Sequence, residues 1–151
     1  MAYAHERDVA VEAVRAAAAL CATVREEMVF GSSLTKADRS PVTVADFGSQ
    51  ALICRSLRAA FPGDPIVAEE DARALREPEN QAVMDQVKAY ANRFLPQASA
   101  DDLCEWIDLG NGEVADRYWT LDPIDGTKGF LRNDQYAVAL ALVEGGQVKL
   151  G

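Results

Sequence analysis

At 151 residues with a formal charge of −9, the chain is long enough for one domain with a real core. It is too acidic to read as a partner of a nucleic-acid polymer or of an anionic membrane surface. No apolar run approaches the roughly eighteen residues that a membrane-spanning helix needs. The acid-containing start, Met1-Ala2-Tyr3-Ala4-His5-Glu6-Arg7-Asp8, reads as neither a secretory signal nor a transit peptide. Cys21, Cys54 and Cys104 are odd in number and lack CxxC spacing; Cys21 and Cys54, on apolar stripes, read as buried thiols, and the compartment reads as reducing, the cytosol by default.

From His5 to Val29, apolar residues recur at three- and four-residue steps through Val9, Ala13, Ala16 or Ala17, Leu20, Val24 and Met28. This alanine-rich spacing predicts one long amphipathic helix, ended by Gly31-Ser32-Ser33. His5 at its start reads as a surface side chain rather than a ligand. Leu34 to Pro41, carrying Lys36, reads as a mobile polar loop. Val42 to Val44 is short and β-branched, and a second helix is expected from about Asp46 to Ala60, burying Ala51, Leu52, Leu57 and Ala60. Pro62-Gly63-Asp64-Pro65 is a turn, Ile66-Val67-Ala68 a short strand that ends in Glu69-Glu70-Asp71, and residues 72–79 a charged loop.

A third helix is expected from Asn80 to Leu95, stopped by Pro96. Ser99 with Asp102 three residues on forms a capping pattern for a fourth, ending near Gly110. After a polar loop, Arg117 to Leu121 reads as a strand with Trp119 in the core, as Trp106 should be. Gln135 to Val143 is nearly continuous in apolar residues and reads as a central strand. Glu144-Gly145-Gly146-Gln147 signals a hairpin, with Val148 to Leu150 as its partner. A strand pair at the C-terminus leaves a sheet edge uncovered, so the chain reads as the front half of a longer fold.

The most informative stretch is Trp119-Thr120-Leu121-Asp122-Pro123-Ile124-Asp125-Gly126-Thr127-Lys128-Gly129-Phe130. Pro123 fixes its own φ and biases Asp122 toward an extended conformation, so no regular helix joins the two acids. A strand delivers Asp122, and a kinked turn brings Asp125 toward the same side. Two hard carboxylate ligands converging on one point suit Mg²⁺. The amides of Gly126, Thr127 and Lys128 follow at once, and such N–H groups hold phosphate oxygens. Asp-Pro and Asp-Gly are also ordinary turn dipeptides; the longer string makes the site reading the stronger one. Asp46 at a helix start and Glu69 and Glu70 at a strand end are further acids in positions where open α/β sheets carry chemistry. Singly, each also reads as a helix cap or a solvated turn.

Pro41-Val42-Thr43-Val44-Ala45-Asp46, then Ala68-Glu69-Glu70, then the string from Trp119 to Arg132, resembles the magnesium-dependent, lithium-sensitive phosphatases of the inositol monophosphatase superfamily. The continuation through Asp134-Gln135-Tyr136-Ala137-Val138 resembles its 3'(2'),5'-bisphosphate nucleotidase branch, the plant and fungal members above all. The resemblance implies an α+β fold of layered α/β/α type with a mostly antiparallel sheet, of which residues 1–151 form the N-terminal metal- and phosphate-binding part. It implies Mg²⁺ held by Glu69, Asp122, Asp125 and the carbonyl of Ile124. Asp46 and Thr127 would orient and deprotonate the attacking water. Gly126, Thr127 and Lys128 would hold the phosphate, with Glu70 behind the ligands. The implied substrate is a small phosphorylated nucleotide, adenosine 3',5'-bisphosphate hydrolysed to AMP and phosphate, with its sulfated relative, 3'-phosphoadenylyl sulfate, as a second.

Asn133 departs from the glycine usual in that branch. A further metal-binding aspartate from a Trp-Asp motif has no counterpart in these residues, so weak Mg²⁺ binding and poor turnover are expected of this chain alone. Three other readings compete. An inositol phosphate is the rival substrate, since only flanking residues favour the nucleotide. A haloacid-dehalogenase-type phosphatase also uses Asp-Gly-Thr, but with acids two residues apart near the N-terminus, against three with proline between here. A fragment that binds a partner without catalysis is the third.

Overall fold

The structure is a computed structural model that describes residues 2–30 and 40–151. Among the described residues, five α-helices and four strands follow in chain order: helix α1 (Ala4–Val24), α2 (Ser40–Ala60), strand β1 (Ile66–Ala68), α3 (Gln81–Ala91), α4 (Ala100–Asp108), β2 (Arg117–Asp125), α5 (Thr127–Arg132), β3 (Ala137–Glu144) and β4 (Gln147–Leu150), with a π-helical turn, Arg25–Phe30, continuing α1. The sheet runs β1-β2-β3-β4, parallel between the first two and antiparallel thereafter. It is the α+β, mostly antiparallel arrangement that the sequence implies.

Helix α2 is the organising element. Fourteen of its residues are buried, Asp46, Ser49 and Gln50 included, because it packs on two cores at once. On one side Ile53, Cys54 and Leu57 meet Ala13 and Ala17 of α1 and the sheet residues Ile66, Trp119, Leu121 and Leu142. On the other, Val44, Phe47 and Ala51 meet Met84 and Val87 of α3, Leu103 and Ile107 of α4, Ile124 of β2 and Phe130 of α5. Burying side chains of this size stabilises by about 1.5–3 kcal/mol each. That gain overrides the β-branched propensity of Val42 to Val44. These residues are helical, and α2 begins at Ser40 rather than near Asp46. Pro41 is tolerated because a first-turn N–H has no intrahelical acceptor to lose. The expected helix end at Gly31-Ser32-Ser33 and the loop with Lys36, as far as Arg39, lie outside the described residues.

Other elements follow their local signals. Ser99 Oγ accepts from the Asp102 amide at 3.0 Å and Asp102 returns a bond to the Ser99 amide at 2.9 Å, the reciprocal cap expected for α4. Gly145 and Gly146 both take positive φ (59° and 71°), the two-residue turn whose twist matches the β3–β4 pair. Helix α3 is shorter than expected, ending at Ala91, with turns through Leu95; residues 72–79 hold two short 3₁₀ turns. Ala60 and Trp106 are half-buried instead of core, whereas Trp119 is 1% exposed. Cys21, Cys54 and Cys104 are buried free thiols. Among the described residues no helix is long and apolar enough to cross a membrane. The start of β2 is pinned by Arg117, whose guanidinium bonds Asp64 at 2.9 Å and Glu6 at 3.1 Å, while Trp119 Nε1 donates to the same Asp64 at 3.1 Å.

Candidate active site

The acidic residues meet because of strand register. β1 pairs in parallel with β2, Ala68 opposite Leu121. The next residue of each strand is therefore Glu69 and Asp122, about 4.8 Å apart along the hydrogen-bonding direction. β2 does not stop at Leu121 as expected. It continues through Asp125, with a register shift between Asp122 and Asp125 against β3, where Asp122 faces Ala139 and Asp125 faces Ala137. Pro123 has no N–H for the ladder, which confines it to such an irregularity. The bulge replaces the kinked turn read from sequence and leaves Ile124 2% exposed in the core.

Asp46 joins the pair from α2. It is 8% exposed, and burial with the charges of Glu70, Glu69 and Asp122 pushes its carboxyl up to about 8. Glu69 is raised above the usual carboxylate range by desolvation, by a hydrogen bond to Asp122, and by the charges of Asp122, Glu70 and Asp125. Glu70 is raised by burial, then by Asp71 and Asp122. Asp46, Glu69 and Glu70 are thus each raised by burial and by the carboxylates around them. Among the described residues, no three metal-ligating side chains are already drawn into ligand geometry. The donor set fits a divalent ion nonetheless. Oδ1 of Asp46 and Oδ1 of Asp122 are both buried without a hydrogen-bond partner, which is costly for a carboxylate unless a cation serves.

Gly126, Thr127 and Lys128 follow Asp125 as exposed residues at the start of α5, a helix the sequence reading did not separate from the turn. Gly126 has φ 90°, a left-handed conformation that suits glycine. Gly129 is required by proximity: a Cβ there would lie 2.0 Å from the Gln135 carbonyl oxygen. Asn133, the departure from the branch pattern, ends α5 with φ 62° and ψ 28°. Asparagine is the residue that best tolerates this region after glycine, so the turn survives the change.

Two residues that the motifs did not flag hold this arrangement. Gln50, one helical turn beyond Asp46 and fully buried, donates from Nε2 to the carbonyls of Glu70 (2.6 Å) and Ile107 (2.7 Å). Its Oε1 accepts from the Glu70 amide at 3.0 Å. Arg25 donates to the carbonyls of Asp134 (2.8 Å) and Gly129 (3.3 Å) and lies over the rings of Phe30, Phe130 and Tyr136. The available signal for Gln50 was a polar residue on the apolar stripe of α2, at four residues from Asp46. Arg25 carried none, because its partners are carbonyls more than a hundred residues away.

The inositol monophosphatase family model matches residues 3–151. Among curated relatives, 3'(2'),5'-bisphosphate nucleotidase 1 of Arabidopsis thaliana is 44% identical, over the whole of this chain and 46% of its own length. The 3'(2'),5'-bisphosphate nucleotidase of Emericella nidulans is 45% identical with the same coverage, and that of Schizosaccharomyces pombe 42%, over 97% of this chain and 46% of its own length. The chain thus spans about half the length of the curated relatives it matches. Use of divalent metal ions is general in this family, in keeping with the two unpartnered carboxylate oxygens. Motif, fold and match agree, and the chain belongs to the inositol monophosphatase family.

Proposed function

We propose that this chain carries the metal- and phosphate-binding part of a Mg²⁺-dependent phosphatase that removes the 3'-phosphate of adenosine 3',5'-bisphosphate, giving AMP and phosphate. The single observation that carries the reading is the parallel register of Ala68 with Leu121, which brings Glu69 beside Asp122 and under the charge of Asp125. The nucleotide is favoured over an inositol phosphate by the relatives' names, each a bisphosphate nucleotidase.

Glu69, Asp122, Asp125 and the Ile124 carbonyl would hold Mg²⁺. That ion would offset charge on the phosphate and leaving oxygens and favour ionisation of a nearby water. Asp46, with the Thr127 hydroxyl, takes the proton of the water that attacks phosphorus. The P–O ester bond breaks, and the 3'-oxygen leaves with a proton from solvent. Asp46 suits the part by its place: its carboxyl is nearly buried on α2 among the proposed ligands, with Oδ1 committed to no hydrogen bond. The amides of Gly126 and Thr127, with the Lys128 ammonium, orient the phosphate. Water is the nucleophile throughout, so no phosphoenzyme forms.

The test is phosphate release from adenosine 3',5'-bisphosphate and from inositol 1-phosphate, with and without Mg²⁺, beside Asp122→Ala and Asp125→Ala. Mn²⁺ binding is measured on the same samples, since slow turnover leaves binding readable. Metal-dependent release of AMP, or Mn²⁺ binding, that both substitutions abolish supports the site. Parent-like release and binding in the variants refutes it. Faster release from the inositol ester would transfer the reading to that substrate.

A further inference from the structure

We propose that Gln50 is the positioning residue of the acidic site, fixing the direction in which Glu69 and Glu70 leave β1 and locking it to the helix that carries Asp46. The inference rests on the metal-site reading above and extends it to a residue that touches neither ion nor substrate.

The chain leaves the sheet after Ala68, since β1 ends there and, among the described residues, Glu70 pairs with no strand. Its main-chain groups need partners, because orphaned buried amides and carbonyls are rare. Gln50 provides both from one side-chain amide, accepting the Glu70 N–H and donating to the Glu70 carbonyl. An amide bonded to both the N–H and the C=O of one residue grips the two successive peptide planes that flank its Cα, and so fixes that residue's backbone conformation as well as its position, which a single bond would not. The third bond, to the Ile107 carbonyl, ties the same amide to the last turn of α4 and uses its second N–H. Gln50 therefore has three bonds for a side chain with no exposure, and α2, α4 and the Glu69-Glu70 segment are joined through one group.

The surroundings are shaped to the amide. A Cβ at Gly110 would stand 2.6 Å from Gln50 Nε2 and 2.6 Å from Ala68 Cβ, so only glycine leaves room. The Gly110 carbonyl meanwhile accepts from the Ala68 amide at 2.8 Å, closing the other side of β1. Asp46 and Gln50 lie four residues apart on one helix face. Whatever orients the Glu70 peptide relative to α2 also sets the Glu69 carboxylate relative to Asp46 and Asp122. Groups that orient ligands in this way are worth about 10–100-fold in metal affinity.

The test compares Gln50→Met and Gln50→Glu with the packing variant Leu57→Ala, which opens a cavity on the far side of α2. Mn²⁺ binding is followed by electron paramagnetic resonance, exchange of the Glu70 amide by NMR, and stability by urea unfolding in EDTA. The expected result is about a 10-fold or greater loss of Mn²⁺ affinity in both Gln50 variants, with fast exchange at Glu70 and protection kept at Leu142. Leu57→Ala, although at least as destabilised, should bind Mn²⁺ within about twofold of the parent and keep the Glu70 amide protected. If Gln50→Met fails to fold, the near-isosteric Gln50→Glu carries the comparison. Parent-like affinity in either Gln50 variant, or losses that merely track stability across all three, overturns the proposal. A parent chain without Mn²⁺ binding overturns the site reading first; unchanged exchange at Glu70 refutes the positioning role alone.

Discussion

Glu69 and Asp122 are neighbours across the sheet because Ala68 and Leu121 pair in parallel one residue earlier, and after desolvation the Asp122 carboxylate is the main neighbour that raises Glu69. Glu69→Gln keeps the size and removes one charge. In EDTA at pH 7 it should leave stability unchanged or raise it by up to about 1 kcal/mol, the range for a partly exposed charge pair. It should also weaken Mn²⁺ binding by about tenfold or more. A variant that binds Mn²⁺ like the parent would remove Glu69 from the ligand set.

The metal-free chain should become less stable as pH rises from about 5.5 to 8. Asp46 is pushed up to about 8, and Glu69 and Glu70 are raised as well. In this window the folded chain binds more protons than the unfolded one, and linkage then makes stability fall with pH. Glu6, Glu27 and Asp102 are shifted the other way. They are ionised in both states above about pH 5.5 and so contribute little slope there. Urea midpoints in EDTA measure the trend, and saturating Mg²⁺ should flatten it. A midpoint that climbs between pH 5.5 and 8 would contradict a protonated acidic cluster.

Much of this was legible because local chemistry and global packing agree. The Ser99–Asp102 cap and the Gly145-Gly146 turn are local devices with fixed geometry, and each forms where its residues stand. The site acids were legible for a different reason: their motifs mark strand ends and helix faces, where register alone decides who meets whom. Failures came where tertiary burial decided. Val42 to Val44 prefer strand locally but fill the core beside α2's partners, so they are helical. Pro123 looked like the end of a strand, whereas a bulge lets β2 run on to Asp125. Gln50 and Arg25 act on main-chain groups, which carry no residue identity: Gln50 showed only as a polar residue on the apolar stripe of α2, and Arg25 not at all.

Gly129→Ala should destabilise the chain by about 1–3 kcal/mol, the usual cost of forced overpacking. Its Cβ would meet the backbone oxygen of Gln135 at 2.0 Å, and backbone cannot swing aside as a side-chain tip can. Gly63→Ala is the matched comparison, since a Cβ there has nothing within 4 Å. It should fall within about 0.5 kcal/mol of the parent. Equal urea midpoints for the two would show that α5 can move off β3 freely.

At Asn133 the prediction concerns backbone rather than contacts. With φ 62°, Asn133→Gly should stay within about 1 kcal/mol of the parent, and Asn133→Val should cost more than Asn133→Gly. A β-branched residue is the least able to take this conformation. Thermal unfolding of the three proteins ranks them directly, and a valine variant as stable as the glycine one would mean that α5 ends otherwise.

Arg25 is where helix α1's continuation grips α5 and the turn that follows it. Its guanidinium donates to the Asp134 and Gly129 carbonyls and lies 5.1 Å from the Tyr136 ring centre and 5.7 Å from that of Phe130. Lysine keeps the charge but loses the planar fork and most of the stacking, so Arg25→Lys is not conservative here. We expect a cost of about 1–2 kcal/mol, from one charge-assisted bond and the weakened ring contacts. The loss should be local before it is global. The Phe130 amide, bonded to the Gly126 carbonyl at 3.0 Å, should exchange faster in the variant, while Leu142 in the sheet core keeps its protection. Uniform loss of protection across both positions would instead make Arg25 a general stabiliser of the core, with no particular hold on Gly126 to Lys128.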